Sequence, residues 1–260
     1  MPDVVGPAAK RAVERRVAWT SPLTSVLLGL GLAVTRWAPD TGLVLAVVVV
    51  AQVLVAIGWH RGVQAQAALT GAIAGLGLGL VVDAVVVSMQ ATTLEPSISV
   101  LGAGFLLVVV QQLARRDSHE GAVVSMAATA SLAALTTLGA AWLVVVEVWL
   151  DEPVVWVAGA ALVVASLLRV VPSDAWASWL ALAAGTAAGW LAAASVNFGP
   201  GIDANRVGVL VGLACGVAVC VSDAFTRGST HEFSSRWWMT GSVPVLMAAP
   251  LVYLAVRLAA

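Results

Sequence analysis

Asp83 is the side chain of this sequence that is most clearly able to take part in chemistry, because it is an ionisable residue within a long apolar stretch. Gly71, Gly75 and Gly79 precede it at four-residue spacing. That spacing places all four residues on one helix face, and small residues allow a neighbouring backbone to approach, so the aspartate is predicted to point into protein and not lipid. The functional interpretation is a proton or cation relay, or a substrate contact. The structural interpretation is a hydrogen bond to a neighbouring helix or to interface water.

Two further apolar stretches carry glycines at the same spacing. One contains Gly185 and Gly189, and the next contains Gly208, Gly212 and Gly216. Because such faces favour close helix contacts, they predict helix-packing surfaces. A substrate pathway is the alternative interpretation.

The most polar part of the chain extends from Asp223 to Arg236. It includes Arg227, His231 and Glu232, and two tryptophans follow it. Arginines can bind a phosphate group through paired hydrogen bonds, so these five residues are candidates for contact with a lipid headgroup. A solvated connecting loop is the alternative interpretation.

Familiar catalytic and metal-binding motifs are missing from the sequence. It contains no His-Glu-x-x-His, Cys-x-x-Cys, Walker or Gly-x-Ser-x-Gly motif, and its three histidines are scattered. Cys215 and Cys220 are separated by about 140° of helix rotation and cannot form a disulfide with each other. We therefore predict no catalytic residues, no metal site and no cofactor.

The elements that must position these residues are membrane helices. Hydrophobic residues make up 60% of the 260 residues and charged residues 10%, against roughly 25% charged in soluble domains. The charges fall between stretches of about 20 apolar residues, the length that a helix needs to cross a bilayer. The fold class predicted is an all-α polytopic transmembrane bundle with about nine spans, at 19–37, 42–59, 67–88, 97–114, 124–147, 154–170, 175–196, 207–223 and 239–258.

The distribution of basic residues predicts the orientation of these spans. With the N-terminus in the cytoplasm, the outer segments contain only three basic residues, Arg36, Arg206 and Arg257, and the inner segments contain the other ten of the 13. This positive-inside bias favours a cytoplasmic N-terminus, and an odd number of spans then leaves the C-terminus outside. The expected location is the plasma membrane. Residues 1–18 form a basic cytoplasmic juxtamembrane segment, and residues 19–260 form a single transmembrane domain. A net charge of −1 gives no reason to expect nucleic acid as a partner.

From about Val154 onward, the order of features resembles bacterial phosphatidate cytidylyltransferases, which make CDP-diacylglycerol in the membrane. Both have an acidic residue at the end of a late span, a polar loop, and a last helix entered through two small residues and a proline. The counterparts here are Ser222-Asp223, the loop to Arg236, and Ala248-Ala249-Pro250.

The chain departs from that family in the residues that carry the reaction. The family signature needs lysines, a Pro-Gly-His-Gly-Gly motif and further carboxylates to hold the triphosphate and its metals. Here Lys10 is the single lysine, that motif is missing, and Thr240 to Val243 offers no carboxylate. The resemblance therefore implies a relative that has lost nucleotidyl transfer.

Together these features favour a non-enzymatic membrane subunit or scaffold of an envelope- or lipid-related complex. Membrane lipids and a membrane-protein partner or a second copy of the chain would be its partners. Two alternatives remain: a small-solute or lipid transporter that uses Asp83, and a lipid-active enzyme that uses the cytoplasmic loop.

Overall fold

The predicted all-helical fold class is confirmed. A computed structural model describes residues 21–37, 40–62, 68–113, 122–149, 153–169, 174–199, 202–227 and 237–259. About 90% of these described residues are helical, and they contain no strand. In a bilayer this is the expected outcome, because a helix satisfies its backbone hydrogen bonds within one segment.

Ten helical elements follow one another along the described chain. They are α1 (Ser21–Arg36, its last turn a 3₁₀ turn over Val34–Arg36), α2 (Thr41–Gly62), α3 (Ala68–Ser88), α4 (Glu95–Leu113), α5 (Ala122–Leu138), α6 (Ala141–Val148), α7 (Val154–Leu168), α8 (Asp174–Ala194), α9 (Ala204–Arg227) and α10 (Trp237–Ala259).

Among the described residues, six segments are long and apolar enough to cross a membrane, by length and composition. They are Thr41–His60, Leu69–Ser88, Val123–Val148, Trp176–Ala194, Ala204–Ala224 and Met239–Ala259. Three shorter apolar helices accompany them at Ser21–Arg36, Glu95–Val110 and Val154–Leu168. Membrane-protein character is therefore supported. Six of the nine predicted spans correspond to helices long enough to cross a membrane, and the other three correspond to the shorter apolar helices.

The fifth and eighth predicted spans differ most from the observed helices. The fifth predicted span, 124–147, is broken at Gly139 and Ala140 into α5 and α6. The eighth, 207–223, is longer at both ends as α9, which begins at Ala204 and ends at Arg227. Hydropathy marks where a segment leaves the apolar region, whereas a helix continues as long as its backbone hydrogen bonds do.

Local hydrogen bonds explain where several helices begin and end. Asp40 Oδ1 accepts from the backbone N–H of Gly42 at 3.0 Å, and Asp203 Oδ1 accepts from that of Asn205 at 3.0 Å, so each aspartate caps the start of a helix. At the end of α3, Gln90 adopts a left-handed conformation with φ 46°. The backbone N–H of Ala91 then bonds Val86 O at 3.0 Å, which is the pattern of a Schellman cap.

Contacts between helix termini define two ends of the bundle. At one end of the bundle, Arg36 at the end of α1 donates to Ser195 Oγ after α8 at 3.5 Å, and Arg257 of α10 donates to the Thr92 carbonyl before α4 at 3.0 Å. At the other end, Thr240 Oγ1 at the start of α10 donates to Ser21 Oγ at the start of α1 at 2.7 Å. These two ends are called the Arg36 end and the Ser21 end below.

The bundle buries a continuous core and leaves many apolar side chains exposed. The fully buried side chains include Leu32, Trp142 and Leu246. Trp142 Nε1 lies on α6 and donates to the Val245 carbonyl of α10 at 2.9 Å. On α4 the exposed fractions of Ile98, Leu106 and Leu107 are 66–67%. Such a surface would be unfavourable in water and suits the hydrocarbon region of a bilayer.

Candidate functional site

Asp83 lies inside the bundle, where it is hydrogen-bonded to Gln52. The exposed fractions are 2% for Asp83 and 0% for Gln52. Gln52 Nε2, on α2, donates to Asp83 Oδ2, on α3, at 2.8 Å. The direct partner of the carboxylate is thus an uncharged amide from the preceding helix.

Thr136 connects this pair to α5. Gln52 Nε2 also donates to the Thr136 carbonyl at 3.0 Å, and Thr136 Oγ1 donates to the Gly75 carbonyl of α3 at 2.8 Å. Three helices therefore meet in one buried polar cluster, which consists of Gln52, Asp83 and Thr136. Buried hydrogen bonds between membrane helices contribute about 0.6–2 kcal/mol each.

The polar cluster lies next to the break between α5 and α6. The backbone N–H of Gly139 bonds the Thr136 carbonyl at 3.2 Å, and that of Ala140 bonds the Thr137 carbonyl at 3.2 Å. These are i to i−3 bonds, the tighter pattern of a 3₁₀ turn. The Thr136 carbonyl thus accepts both from the tightened turn and from Gln52.

Two buried oxygens of the cluster have no hydrogen-bond partner among the residues that the structure describes. They are Asp83 Oδ1 and Gln52 Oε1. An unsatisfied polar atom in the interior is destabilising, typically by about 1–3 kcal/mol, so such atoms mark a place where a partner is missing.

The contribution of Gln52 was missed by sequence reasoning, which searched the spans for a charged partner of Asp83. The available signal was a single amide near the middle of an otherwise apolar stretch, since polar side chains there usually face protein. The spacing along one helix cannot show which neighbouring helix supplies the partner.

The glycines that precede Asp83 face α5. A Cβ added at Gly71 would lie 2.5 Å from Thr129 Oγ1, one at Gly75 would lie 2.8 Å from Leu132 Cγ, and one at Gly79 would lie 2.8 Å from Thr136 Cβ. The absence of side chains at these positions brings α3 close enough to α5 for the Thr136–Gly75 hydrogen bond.

The other two glycine faces lie against each other. A Cβ at Gly189 of α8 would lie 2.5 Å from the carbonyl oxygen of Gly208 and 2.6 Å from Cα of Gly212, both on α9. A Cβ at Gly212 would lie 2.5 Å from the carbonyl oxygen of Gly185, and Gly216 is packed against the backbone of Leu182. Here backbone meets backbone, and no side chain can move away to make room.

Asp223 and Arg227 lie within α9, not in a loop. Asp223 Oδ1 accepts from Arg169 Nη2 at 2.5 Å, so the carboxylate is part of an ion pair that joins the end of α7 to α9. The exposed fractions of the two side chains are 10% for Arg169 and 17% for Asp223. His231, Glu232 and Arg236 lie outside the described residues.

Arginines at the Arg36 end stack on aromatic rings. The Arg36 guanidinium carbon lies 5.3 Å from the Trp156 ring centroid. That of Arg257 lies 5.6 Å from the Trp149 centroid and 5.4 Å from the Tyr253 centroid. Cation–π contacts of this kind hold a charge at the edge of an apolar region. These cation–π contacts were not predicted from the sequence, in which the arginines indicate only orientation.

In the part of the chain that the structure describes, no group of three or more His, Cys, Asp or Glu side chains is arranged to hold a metal ion. Cys215 is buried, and neither it nor Cys220 forms a disulfide. Comparison with family models, curated proteins and solved structures finds no match for this chain.

Proposed function

We propose that this chain is a non-enzymatic subunit or scaffold of an envelope- or lipid-related complex in the plasma membrane. It would cross the membrane about nine times, with its N-terminus in the cytoplasm. Membrane lipids and a membrane-protein partner, or a second copy of the chain, would surround it.

The observation that carries this proposal is how the polar side chains of the bundle are used. Gln52 and Thr136 connect helices α2, α3 and α5, and Arg169 pairs with Asp223 between α7 and α9. In an enzyme we would expect several of these groups to converge on one accessible cleft. Here they are buried between helices, which is the arrangement of a structural element.

The bundle also offers a surface on which a partner could pack. Helix α4 contacts α3 and α5 on one side, and the side chains of Ile98, Leu106 and Val110 are 64–67% exposed on another. Either lipid or a membrane-spanning partner fits such an apolar surface.

The positions of three basic residues support the proposed topology. The three basic residues assigned to the outside are Arg36, Arg206 and Arg257, and each lies near a helix terminus at the Arg36 end. The proposed orientation places that end outside and the Ser21 end in the cytoplasm, in agreement with the positive-inside rule.

Purification in a gentle detergent, followed by mass spectrometry of co-purifying proteins and lipids, tests the proposal. We expect a stoichiometric membrane-protein partner or a homo-oligomer. Photo-crosslinking residues at Leu106 and Leu107 should capture that partner if α4 forms the interface, and the same residue at the buried position Leu132 is the matched control. A monomer bound only to lipid would contradict the subunit proposal.

The resemblance to phosphatidate cytidylyltransferases favours a lipid-related setting for the complex. Because the lysines and carboxylates of that family are missing, we expect the purified protein to form no CDP-diacylglycerol from CTP and phosphatidate. Magnesium-dependent product formation above the level of an Asp223→Asn variant would overturn the non-enzymatic assignment.

A transporter for a small solute or lipid is the second candidate, and it is favoured by the unpartnered Asp83 Oδ1. A carboxylate oxygen without a donor inside a helix bundle is a feature of ion and proton pathways. In this case Asp83→Asn would abolish transport or the associated growth phenotype at normal expression. An unchanged phenotype would remove this candidate.

A further inference from the structure

We propose that Asp83 and Gln52 together bind one monovalent cation, a proton or a sodium ion, inside the helix bundle. This inference does not depend on the proposed subunit role. It rests on the two buried oxygens without partners, Asp83 Oδ1 and Gln52 Oε1, at either end of one 2.8 Å hydrogen bond.

Counting hydrogens shows that the protein cannot satisfy these oxygens from within the pair. A glutamine amide has two N–H hydrogens. Gln52 Nε2 directs both at oxygens, one at Asp83 Oδ2 at 2.8 Å and one at the Thr136 carbonyl at 3.0 Å. No hydrogen of the amide remains for Asp83 Oδ1, and Gln52 Oε1 has no donor.

Reversing the amide would not remove the deficit. With its oxygen and nitrogen exchanged, Gln52 would present an acceptor to Asp83 Oδ2 and to the Thr136 carbonyl, which are themselves acceptors. The observed orientation is the favourable one. In it, Asp83 Oδ1 and Gln52 Oε1 are both acceptors that lack a donor. A single cation between them would satisfy both.

The charge around Asp83 supports the same conclusion. The titratable residues on the helices packed against α3 lie at helix termini: His60 and Arg61 in the last turn of α2, Glu95 at the start of α4, and Glu147 on α6. Glu147 accepts from Thr41 Oγ1 at 3.4 Å, and α5 carries no titratable residue. A buried carboxylate without a basic partner is neutralised most simply by a small cation.

The composition of the site indicates a single positive charge. Calcium takes six to eight oxygen ligands, and magnesium requires a near-octahedral set. One carboxylate and one amide oxygen supply neither the charge nor the ligand number for a divalent ion. A proton on Asp83 Oδ1 that is donated to Gln52 Oε1 needs only these two atoms, whereas sodium would also need oxygens from water or backbone carbonyls.

Infrared spectroscopy of the full-length protein in lipid distinguishes the two cations. If a proton is bound at neutral pH, the spectrum should contain the C=O stretching band of a protonated carboxylic acid, and this band should disappear in Asp83→Asn. The asparagine variant is expected to fold, because its amide can donate to Gln52 Oε1 and accept from Gln52 Nε2.

Thermal unfolding tests the sodium alternative. Sodium chloride should raise the Tm of the wild-type protein above the value in choline chloride of equal concentration, because a ligand that binds only the folded state stabilises it. In Asp83→Asn this difference should vanish. Gln52→Met provides a second variant, since it removes the amide oxygen and should shift the carboxylic-acid band or weaken the sodium effect at least tenfold.

The outcomes are mutually exclusive. A carboxylic-acid band that is lost in Asp83→Asn supports a bound proton. No such band but a sodium-specific Tm increase that Asp83→Asn abolishes supports bound sodium. Neither a band nor a sodium effect, or effects that persist in Asp83→Asn, would overturn the proposal.

Discussion

At the scale of single residues, Gln52 joins α2 to two other helices through hydrogen bonds of its side-chain amide. Its amide nitrogen donates both to the Asp83 carboxylate at 2.8 Å and to the Thr136 carbonyl at 3.0 Å. An aliphatic residue would be easier to insert into a membrane at this position. The amide instead serves a carboxylate that would otherwise be buried with no donor at all.

Gln52→Leu should destabilise the protein by about 1–2 kcal/mol, because it leaves Asp83 without a donor in a buried environment. Gln52→Leu combined with Asp83→Leu should recover most of this loss, since removing both partners leaves no unpaired polar group. Unfolding in a denaturing detergent measures the two free energies. Ser99→Leu, at an exposed position on α4, controls for added hydrophobicity. Additive losses in the double variant would contradict the pairing.

Arg169 and Asp223 offer a second test at this scale. The pair is largely shielded from solvent, so Arg169→Met should reduce the free energy of unfolding by about 1–3 kcal/mol by leaving a carboxylate unpaired. Asp223→Asn should be milder, because an amide oxygen can still accept from the guanidinium. The prediction fails if both variants unfold at the wild-type detergent concentration.

The residue scale also shows how far sequence reasoning extends. The glycine spacing before Asp83 gave a physical reason to expect the aspartate inside the bundle, and the structure places it there. Its partner Gln52 could not be predicted, because the sequence of one helix does not indicate which helix packs against it. Asp223 was placed correctly near the end of a late span, but its partner Arg169 lies 54 residues earlier in the chain.

At the scale of elements, small residues determine how closely the helices approach. Between α8 and α9 the glycines bring two backbones into direct contact, whereas between α3 and α5 they make room for side chains such as Thr129 and Leu132. The same sequence pattern therefore produces two kinds of contact. Which kind forms depends on the residues of the neighbouring helix.

Gly189→Ala should destabilise the bundle by about 1–3 kcal/mol, because the added methyl group would lie 2.5 Å from the Gly208 carbonyl oxygen and backbone cannot move aside cheaply. Gly77→Ala is the matched control, since nothing lies within 4 Å of a Cβ built there. Thermal unfolding in detergent compares the two variants. Equal Tm values would show that α8 and α9 are not in close contact.

Element boundaries were predictable only in part. Hydropathy located each apolar segment, because the cost of placing charges in hydrocarbon is large and local. It did not predict the break at Gly139 and Ala140, since both residues are as apolar as their neighbours. The break depends on the hydrogen bonds of the surrounding turn.

At the scale of the whole molecule, the cation–π contacts and the Ser21–Thr240 hydrogen bond lie at the two ends of the bundle. Arg36 and Arg257 stack on aromatic rings at one end, and Ser21 contacts Thr240 at the other. This layering is expected for a protein whose middle lies in hydrocarbon and whose ends lie in the interfaces. This distribution of contacts does not depend on which end of the bundle faces the cytoplasm.

Cysteine labelling of intact cells tests the orientation. In a variant with Cys215 and Cys220 replaced by alanine, a membrane-impermeant maleimide should label Asn197→Cys, at the Arg36 end, without cell disruption. It should label Ser229→Cys, in the proposed cytoplasmic loop, only after disruption. The reverse pattern would invert the topology, and labelling of both in intact cells would exclude the proposed number of spans.

The carbonyl of Thr136 connects the break between α5 and α6 to the buried polar cluster. It accepts from Gly139 in the tightened turn and from Gln52, and Gln52 in turn holds Asp83. The amide of Gln52 therefore contacts both the turn between α5 and α6 and the buried carboxylate of Asp83. By thermodynamic linkage, a change in either contact alters the free energy of the other. A charge taken up or lost at Asp83 would therefore change the strength of the hydrogen bonds that Gln52 makes to Asp83 and to the turn between α5 and α6.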